Sequence, residues 1–334
     1  MEKGICGRPL QWYASFLTGR TQQVKVGESL SCVGKVVSGV IQGSACGPGL
    51  YNLVADSLLC KVKLPSWGFA DDFKCLADVE THTREEIQSD IDAVGQWSDD
   101  RLMPLSLGKC GVMHCGKNQP HHAYHIHGMP LPVMDSFKDL GFMRSTDGSY
   151  TSHYEIITAK ASRISGAIRR LFQTNAPELL WPAYRSYVMP ILTYGSQIWN
   201  PLLRQDIADI ERVQRRLTKS IRSLRNLPYE QRLSKLGGLS LENQRVYADM
   251  VFVYKALHGL VNCPAADFGL NPTKSSTRGG GIRLTQRRAN SRAASALFCI
   301  RAPSTWNKLP LHVTGSLSLN IFKNNLKKHL LHPK

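Results

Sequence analysis

Apolar residues recur at helical spacing from about residue 8 to 19. Leu10, Trp12, Tyr13, Phe16 and Leu17 predict an amphipathic helix there, ended by Gly19-Arg20. Residues 21–40 change to strand-like alternation, Gln23-Val24-Lys25-Val26 and then Gly34-Lys35-Val36-Val37, around a Gly27-Glu28 turn. Gly47-Pro48 opens a second helix over about 49–63, with Leu50, Leu53, Val54, Leu58 and Leu59 on its apolar side. Residues 67–76 alternate again and read as a hairpin whose turn is Asp71-Asp72. Thr83 is placed to cap a helix over 82–103, in which Ile87, Ile91, Val94 and Trp97 face inward. Short strands are expected near 111–114, 123–127 and 137–143.

After residue 150 the period becomes that of helices. Ile156, Ile157, Ala161, Ile164, Ala167, Ile168 and Leu171 mark one over 152–174, decorated by Lys160, Arg163, Arg169 and Arg170. Residues 177–195 and 205–225 repeat the pattern, the latter with Arg212, Arg215, Arg216, Lys219, Arg222 and Arg225. The polar 274–292 stretch, rich in Gly, Ser and Arg, reads as a linker, and order returns around Trp306 and over 321–331. No internal repeat is evident.

Composition sharpens this picture in one respect. Residues 1–150 hold 14 Lys+Arg against 16 Asp+Glu, a balance of −2. The remaining 28 and 9 give residues 151–334 a balance of +19. A near-neutral half carrying carboxylates, beside a strongly basic half, suggests a reaction centre next to a polyanion grip. A solvated basic surface is the plainer alternative. The chain has no long apolar run and no signal-peptide pattern, so no membrane partner is expected. Its nine cysteines are scattered, without Cys-x-x-Cys, as in reduced intracellular proteins. The expected location is nucleus and cytoplasm.

Adjacent aspartates on a tight turn can hold Mg²⁺ or Mn²⁺, and that ion can hold the phosphates of a nucleotide. An acidic pair alone is common in turns, because Asp suits turn geometry. The context adds weight. Gly43 precedes Asp71 by 28 residues, room for a turn, a helix and a strand that return to one site. Gln42, Gly43 and Ser44 are small or neutral, which suits close approach to a nucleotide or template. Lys109 could present an ammonium to a leaving pyrophosphate. Cys110, His114, Cys115, His121, His122, His125 and His127 cluster in sequence, but their spacing matches no common zinc finger. Asp56 reads as a polar or capping position.

These motifs, in this order, resemble the reverse transcriptase of a non-LTR (LINE-type) retrotransposon, nearest the jockey-like group. The segment Leu10 to Gln22 resembles the stretch just after that family's first catalytic Asp. Ser38-Gly39-Val40-Ile41-Gln42-Gly43-Ser44 resembles its Gly-Val-Pro-Gln-Gly-Ser turn, with Ile41 in place of Pro. Phe69-Ala70-Asp71-Asp72 resembles its Tyr/Phe-Ala-Asp-Asp box. Residues 97–110 resemble the next block, with Ser106-Leu107-Gly108 replacing an Asn-containing turn. Lys138-Asp139-Leu140-Gly141 resembles the primer-grip region. Residues 187–201, Glu211-Arg212-Val213-Gln214-Arg215-Arg216 and Trp306-Asn307-Lys308-Leu309-Pro310 resemble the helical thumb and beyond.

The resemblance implies an α+β fold. Residues 1–150 would be a partial polymerase palm, 151–225 a helical thumb, 226–273 a helical extension, 274–292 a basic linker and 293–334 a tail segment. It implies RNA-directed DNA polymerase chemistry on an RNA template, a DNA primer and deoxynucleotide triphosphates, with Mg²⁺ (or Mn²⁺) at Asp71 and Asp72. Gln42, Gly43, Ser44 and Lys109 would line the nucleotide and template site. Arg163, Arg169, Arg170, Arg212, Arg215, Arg216 and Lys219 would hold nucleic acid. The chain is expected to lack the fingers, the strand with the first catalytic Asp, and the endonuclease. Catalysis would then be incomplete, and a non-catalytic nucleic-acid-binding remnant of a retroelement is the alternative.

Overall fold

The 8–19 pattern forms helix α1 (Gly7–Leu17) in the computed structural model, which describes residues 4–116, 119–273 and 282–331. Trp12 stacks on Phe16 at 5.2 Å, yet no side chain of α1 is buried. The alternating region becomes two short antiparallel ladders. Strand β1 (Thr21–Gln22) pairs with β4 (Gly34–Lys35), and β2 (Lys25–Val26) with β3 (Ser29–Leu30) around Gly27-Glu28. Residues 4–46 contain no buried side chain.

Helix α2 (Gly47–Leu59) carries Pro48 in its first turn, where a missing N–H costs nothing. Strands β5 (Ser66–Phe69) and β6 (Asp72–Cys75) form the expected hairpin. Helix α3 (Arg84–Asp100) begins with a capping box. The Glu86 amide donates to Thr83 Oγ1 (3.2 Å), and the Thr83 amide donates to the Glu86 carboxylate (2.8 Å). A hairpin of β7 (His125–Ile126) and β8 (Met129–Pro130) follows. The strand expected near 111–114 is a single bridge from Val112 to Val133. Leu58, Val62, Leu64, Ile87, Trp97 and Tyr124 make the core of this first unit.

Three polar ties fix its elements. Buried Asp90 accepts from the backbone amides of Lys63 (2.9 Å) and Leu64 (2.7 Å), anchoring the approach to β5. Trp97 Nε1 donates to Ser57 Oγ (2.8 Å), joining α3 to α2. Gln88 exchanges two hydrogen bonds with the His125 backbone, at 2.7 and 3.0 Å.

A second unit spans residues 136–331. It opens with a hairpin of β9 (Ser136–Asp139) and β10 (Phe142–Ser145), which the sequence pattern grouped with the first 150 residues. Helices α4 (Thr151–Phe172), α5 (Pro177–Tyr187), α6 (Met189–Thr193), α7 (Ser196–Trp199) and α8 (Arg204–Ser220) follow. The single helix expected over 177–195 is broken after Tyr187. Pro190 lacks an amide hydrogen, so the helix restarts there with Pro in its first turn. Then come α9 (Tyr229–Leu236), α10 (Leu241–Leu257), α11 (Arg292–Ser295), α12 (Phe298–Trp306), α13 (Leu311–Thr314) and α14 (Leu319–Leu331). Among the described residues, helices dominate and every sheet is an antiparallel pair of strands, compatible with an α+β fold.

Two cores fill the second unit. One gathers Tyr184, Leu192, Trp199, Ile210, Leu217 and Ile221. The other gathers Met250, Val253, Tyr254, Trp306, Phe322 and Leu326. Arg301 bridges them. Its guanidinium meets the Asp249 carboxylate through two hydrogen bonds, at 3.0 and 3.2 Å, and donates to the carbonyls of Ser196 (3.2 Å) and Gln197 (3.0 Å). Of the segment read as a linker, residues 274–281 lie outside the described residues. Its far end is docked: Leu284 is buried, and its amide and carbonyl both bond the Asn307 side chain (2.9 and 2.8 Å). Among the described residues, no helix is long and apolar enough to cross a membrane.

Candidate functional site

The carboxylate turn is built by register. Phe69 pairs with Asp72, so the two central residues of the turn are Ala70 and Asp71, one residue earlier than the expected Asp71-Asp72, and Asp72 opens β6. Ala70 takes a left-handed φ of 51°, as such hairpin turns require. For a residue with a Cβ this costs about 1–2 kcal/mol. Asp71 and Asp72 are both exposed. Behind the turn, Tyr51 of α2 feels Asp71. Burial first, and then the Asp71 charge, raise the Tyr51 hydroxyl above its ordinary pKa.

The turn before α2 is equally defined. The Ser44 amide donates to the Ile41 carbonyl (3.2 Å), with Gly43 between them at φ 83°, a value that suits glycine. Ser44 Oγ accepts from the amide of Gly47, the first residue of α2 (3.0 Å), and so closes the turn onto the helix start. A Cβ at Gly47 would come within 2.9 Å of that oxygen, so glycine is what lets Ser44 reach it. Arg20 secures the same turn. It donates to the Leu17 carbonyl at the end of α1 (3.0 Å) and to Ser38 (3.2 Å) and Gly39 (2.5 Å). Sequence reasoning treated Arg20 only as a helix stop. Its partners Ser38 and Gly39 lie 18 and 19 residues further on, in a different block, so no local signal marked the contact.

No described hydrogen bond or ion pair joins Gln42, Gly43, Ser44 or Lys109 to Asp71 or Asp72. Lys109 is exposed in a short 3₁₀ turn over Leu107–Lys109. Among the described residues no group of three or more His, Cys, Asp or Glu converges to hold a metal. The histidine cluster follows this: His114 packs edge-on against His121 at 4.8 Å, and His127 lies 3.5 Å from Asp99. Two metal ions ~3.5–4 Å apart need anionic ligands from more than one turn. The residues present therefore do not fit a two-metal centre on their own, and no catalytic step is derived through one.

The basic residues lie in the second unit. Counted by the unit boundary, residues 136–334 hold 30 Lys+Arg and 11 Asp+Glu, against 12 and 14 before it. The imbalance of +19 against −2 thus survives the shift of the boundary. Arg163, Arg169 and Arg170 are exposed on α4, and Arg212, Arg215, Arg216 and Lys219 are exposed along one face of α8. Helices α4 and α8 pack together, with Arg212 and Arg216 lining a groove that also contains Glu155, Thr158, Ser162 and Asp209.

The α8 arginines are not equivalent. Arg212 is ion-paired to Asp209 one turn earlier. Arg215 lies over the Tyr229 ring, 4.3 Å from its centre. The opposite face of α8 turns polar groups inward. Glu211 accepts from the Tyr229 hydroxyl and from the amides of Leu241 (3.0 Å) and Glu242 (3.3 Å), capping α10. Gln214 accepts from Tyr184 (3.0 Å) and donates to Tyr229 (2.8 Å) and the Leu239 carbonyl (2.9 Å). The sequence reading took Glu211–Arg216 as a thumb-like block and singled out only its arginines, missing this buried half.

No family model matches the chain. It is similar to three curated insect proteins. The Retrovirus-related Pol polyprotein from type-1 retrotransposable element R1 of Bradysia coprophila is 24% identical over 187 residues, covering 52% of this chain and 18% of that protein. The RNA-directed DNA polymerase from mobile element jockey of Drosophila melanogaster is 22% identical over 243 residues, 65% of this chain and 25% of that protein. The putative 115 kDa protein in type-1 retrotransposable element R1DM, also of Drosophila melanogaster, is 24% identical over 244 residues, 70% of this chain and 22% of that protein. The chain spans a quarter or less of the length of these relatives.

Proposed function

We propose that this chain is a piece of an RNA-directed DNA polymerase of the non-LTR retrotransposon kind. In this reading the first unit is part of a palm that presents Asp71 and Asp72, and residues 151–225 act as a thumb. The observation that carries it is the Phe69-Ala70-Asp71-Asp72 hairpin: it holds two carboxylates on a backbone strained at Ala70, in a chain similar to retrotransposon polymerases. Residues held in disfavoured conformations concentrate at functional sites. The substrates would be an RNA template, a DNA primer and deoxynucleotide triphosphates. Asp71 would be the direct ligand of Mg²⁺ or Mn²⁺, with Asp72 supporting it or the turn.

A second reading, nucleic-acid binding without catalysis by this chain, is favoured by the lack of a third converging carboxylate among the described residues. One experiment addresses both. The chain is titrated onto a labelled RNA–DNA primer–template, and extension is then assayed with Mg²⁺ and with Mn²⁺. Salt-dependent binding without extension is expected. No binding at low salt would remove the polymerase reading. Robust extension abolished by Asp71→Ala would remove the second reading.

A further inference from the structure

Helix α4 ends in an elbow. Gln173 adopts the left-handed conformation (φ 44°, ψ 31°), and the chain turns back into α5 through Thr174, Asn175 and Ala176. Inside the elbow is a cavity of about 340 Å³, lined by Gly166, Arg169, Arg170, Gln173, Thr174 and Asn175. Small-molecule pockets are mostly apolar, whereas this one is walled by two guanidiniums, two amides and a hydroxyl around a glycine. No carboxylate is among its walls. Among the described residues no ion pair or side-chain hydrogen bond engages either guanidinium. Arg170 lies back over Gly166, its Nη1 3.4 Å from where a Cβ would stand, so the guanidinium folds onto the helix at the glycine. Between Arg170 and Gln173 in the sequence, Leu171 and Phe172 are 80% and 48% exposed. A free arginine pair, a donor-lined cavity and an exposed ring occupy one helix end.

We propose that the α4–α5 elbow is a subsite for one phosphodiester of single-stranded nucleic acid, with the adjoining base stacked on Phe172. Paired guanidiniums match the flat, two-oxygen face of a phosphate. An exposed aromatic ring takes an unpaired base of any identity, and it cannot take one already stacked in a duplex. The inference rests on the reading that this chain handles nucleic acid, and it goes beyond it by naming the strand state and the contact point.

The test uses the full chain, with anisotropy titrations of a labelled 12-nucleotide RNA and of the same sequence as a duplex, from about 50 to 300 mM salt. Arg169→Ala/Arg170→Ala should flatten the single-strand salt slope by about 0.7, the loss of one phosphate contact. Arg169→Lys/Arg170→Lys should keep the slope. Phe172→Ala should weaken single-strand binding about fivefold or more and leave duplex binding unchanged. Circular dichroism melts check that all variants fold. An unchanged slope in the alanine pair would overturn the subsite, as would loss of the slope in the lysine pair. Equal losses on strand and duplex in Phe172→Ala would overturn the single-strand assignment. If wild type binds and no variant differs, the subsite falls while the nucleic-acid reading stands. If wild type binds neither probe, that reading falls with it.

Discussion

Glu211→Ala tests the buried half of α8 directly. The carboxylate is 5% exposed and takes hydrogen bonds from the Tyr229 hydroxyl and the Leu241 and Glu242 amides. Burial, and then the Glu211 charge, hold the Tyr229 phenol far above its ordinary pKa, so it stays protonated and donates. Truncation leaves two buried donors without acceptors, the phenol and the Leu241 amide, each costing about 1–3 kcal/mol. The Glu242 amide is partly solvated and adds little. The expected loss is about 3–5 kcal/mol, larger than the ~1 kcal/mol typical of an exposed cap. A domain with ~5–15 kcal/mol of total stability would feel that strongly. Urea unfolding followed by far-ultraviolet dichroism reads the loss. Tyr229→Phe supplies a second arm. Once the phenol is gone, removing Glu211 strands one donor fewer, so the double variant should fall short of additivity by about 1 kcal/mol or more. A Glu211→Ala protein within 1 kcal/mol of wild type, with additive behaviour in the double variant, would refute the reasoning.

Three further outcomes are expected. His153 is buried against Phe142 and Trp199, and burial lowers its pKa below the ordinary 6.5. The unfolded chain therefore binds the proton first: stability is full above about pH 6.5 and declines below it, by at most about 1.4 kcal/mol per pH unit, until the folded pKa is reached. His153→Gln should reduce that slope in melts from pH 7.5 to 5; an unchanged slope would refute it. Asp90→Ala should cost about 2–4 kcal/mol by stranding the Lys63 and Leu64 amides, with Asp90→Asn milder, in thermal melts of the chain. Indistinguishable melts would remove Asp90 as the anchor of the hairpin. Replacing Arg212, Arg215, Arg216 and Lys219 together by Ala should weaken single-strand binding evenly across sequences and flatten the salt slope by about 0.7 per lost contact. Arg212→Ala alone should have the smallest effect, because Asp209 already holds that side chain; an Arg212 effect as large as that of Arg215 would contradict this ranking.

Much of the secondary structure was legible in the sequence. Period-two alternation with turn residues marked the 67–76 hairpin, and apolar spacing marked α3, α4 and α8. What escaped were side chains whose partners lie far along the chain. Asp90 looks like any polar residue of α3, and only folding brings it under the amides of residues 63 and 64. Glu211 and Gln214 sit among arginines, so the run reads as solvent-facing, although a helix must turn some of these positions inward. The break after Tyr187 had a local signal in Pro190, overridden by the strong apolar spacing on either side. The motifs that resemble a polymerase were visible as strings of residues, but a string cannot tell which oxygen is already occupied. Ser44 shows this, since its hydroxyl already accepts from the Gly47 amide.

Residues 4–46 form one helix, turns and two short strand ladders but bury no side chain, and a protease would register this before any binding assay does. Backbone that can open locally at little cost is cut first. Arg20, Lys25 and Lys35 all lie in this segment, while the arginines of α4 and α8 sit on helices whose other faces are buried. Brief trypsin treatment should therefore trim the chain toward the start of α2. It would leave the carboxylate hairpin in the surviving fragment and separate it from the Arg20 tie that secures the neighbouring turn.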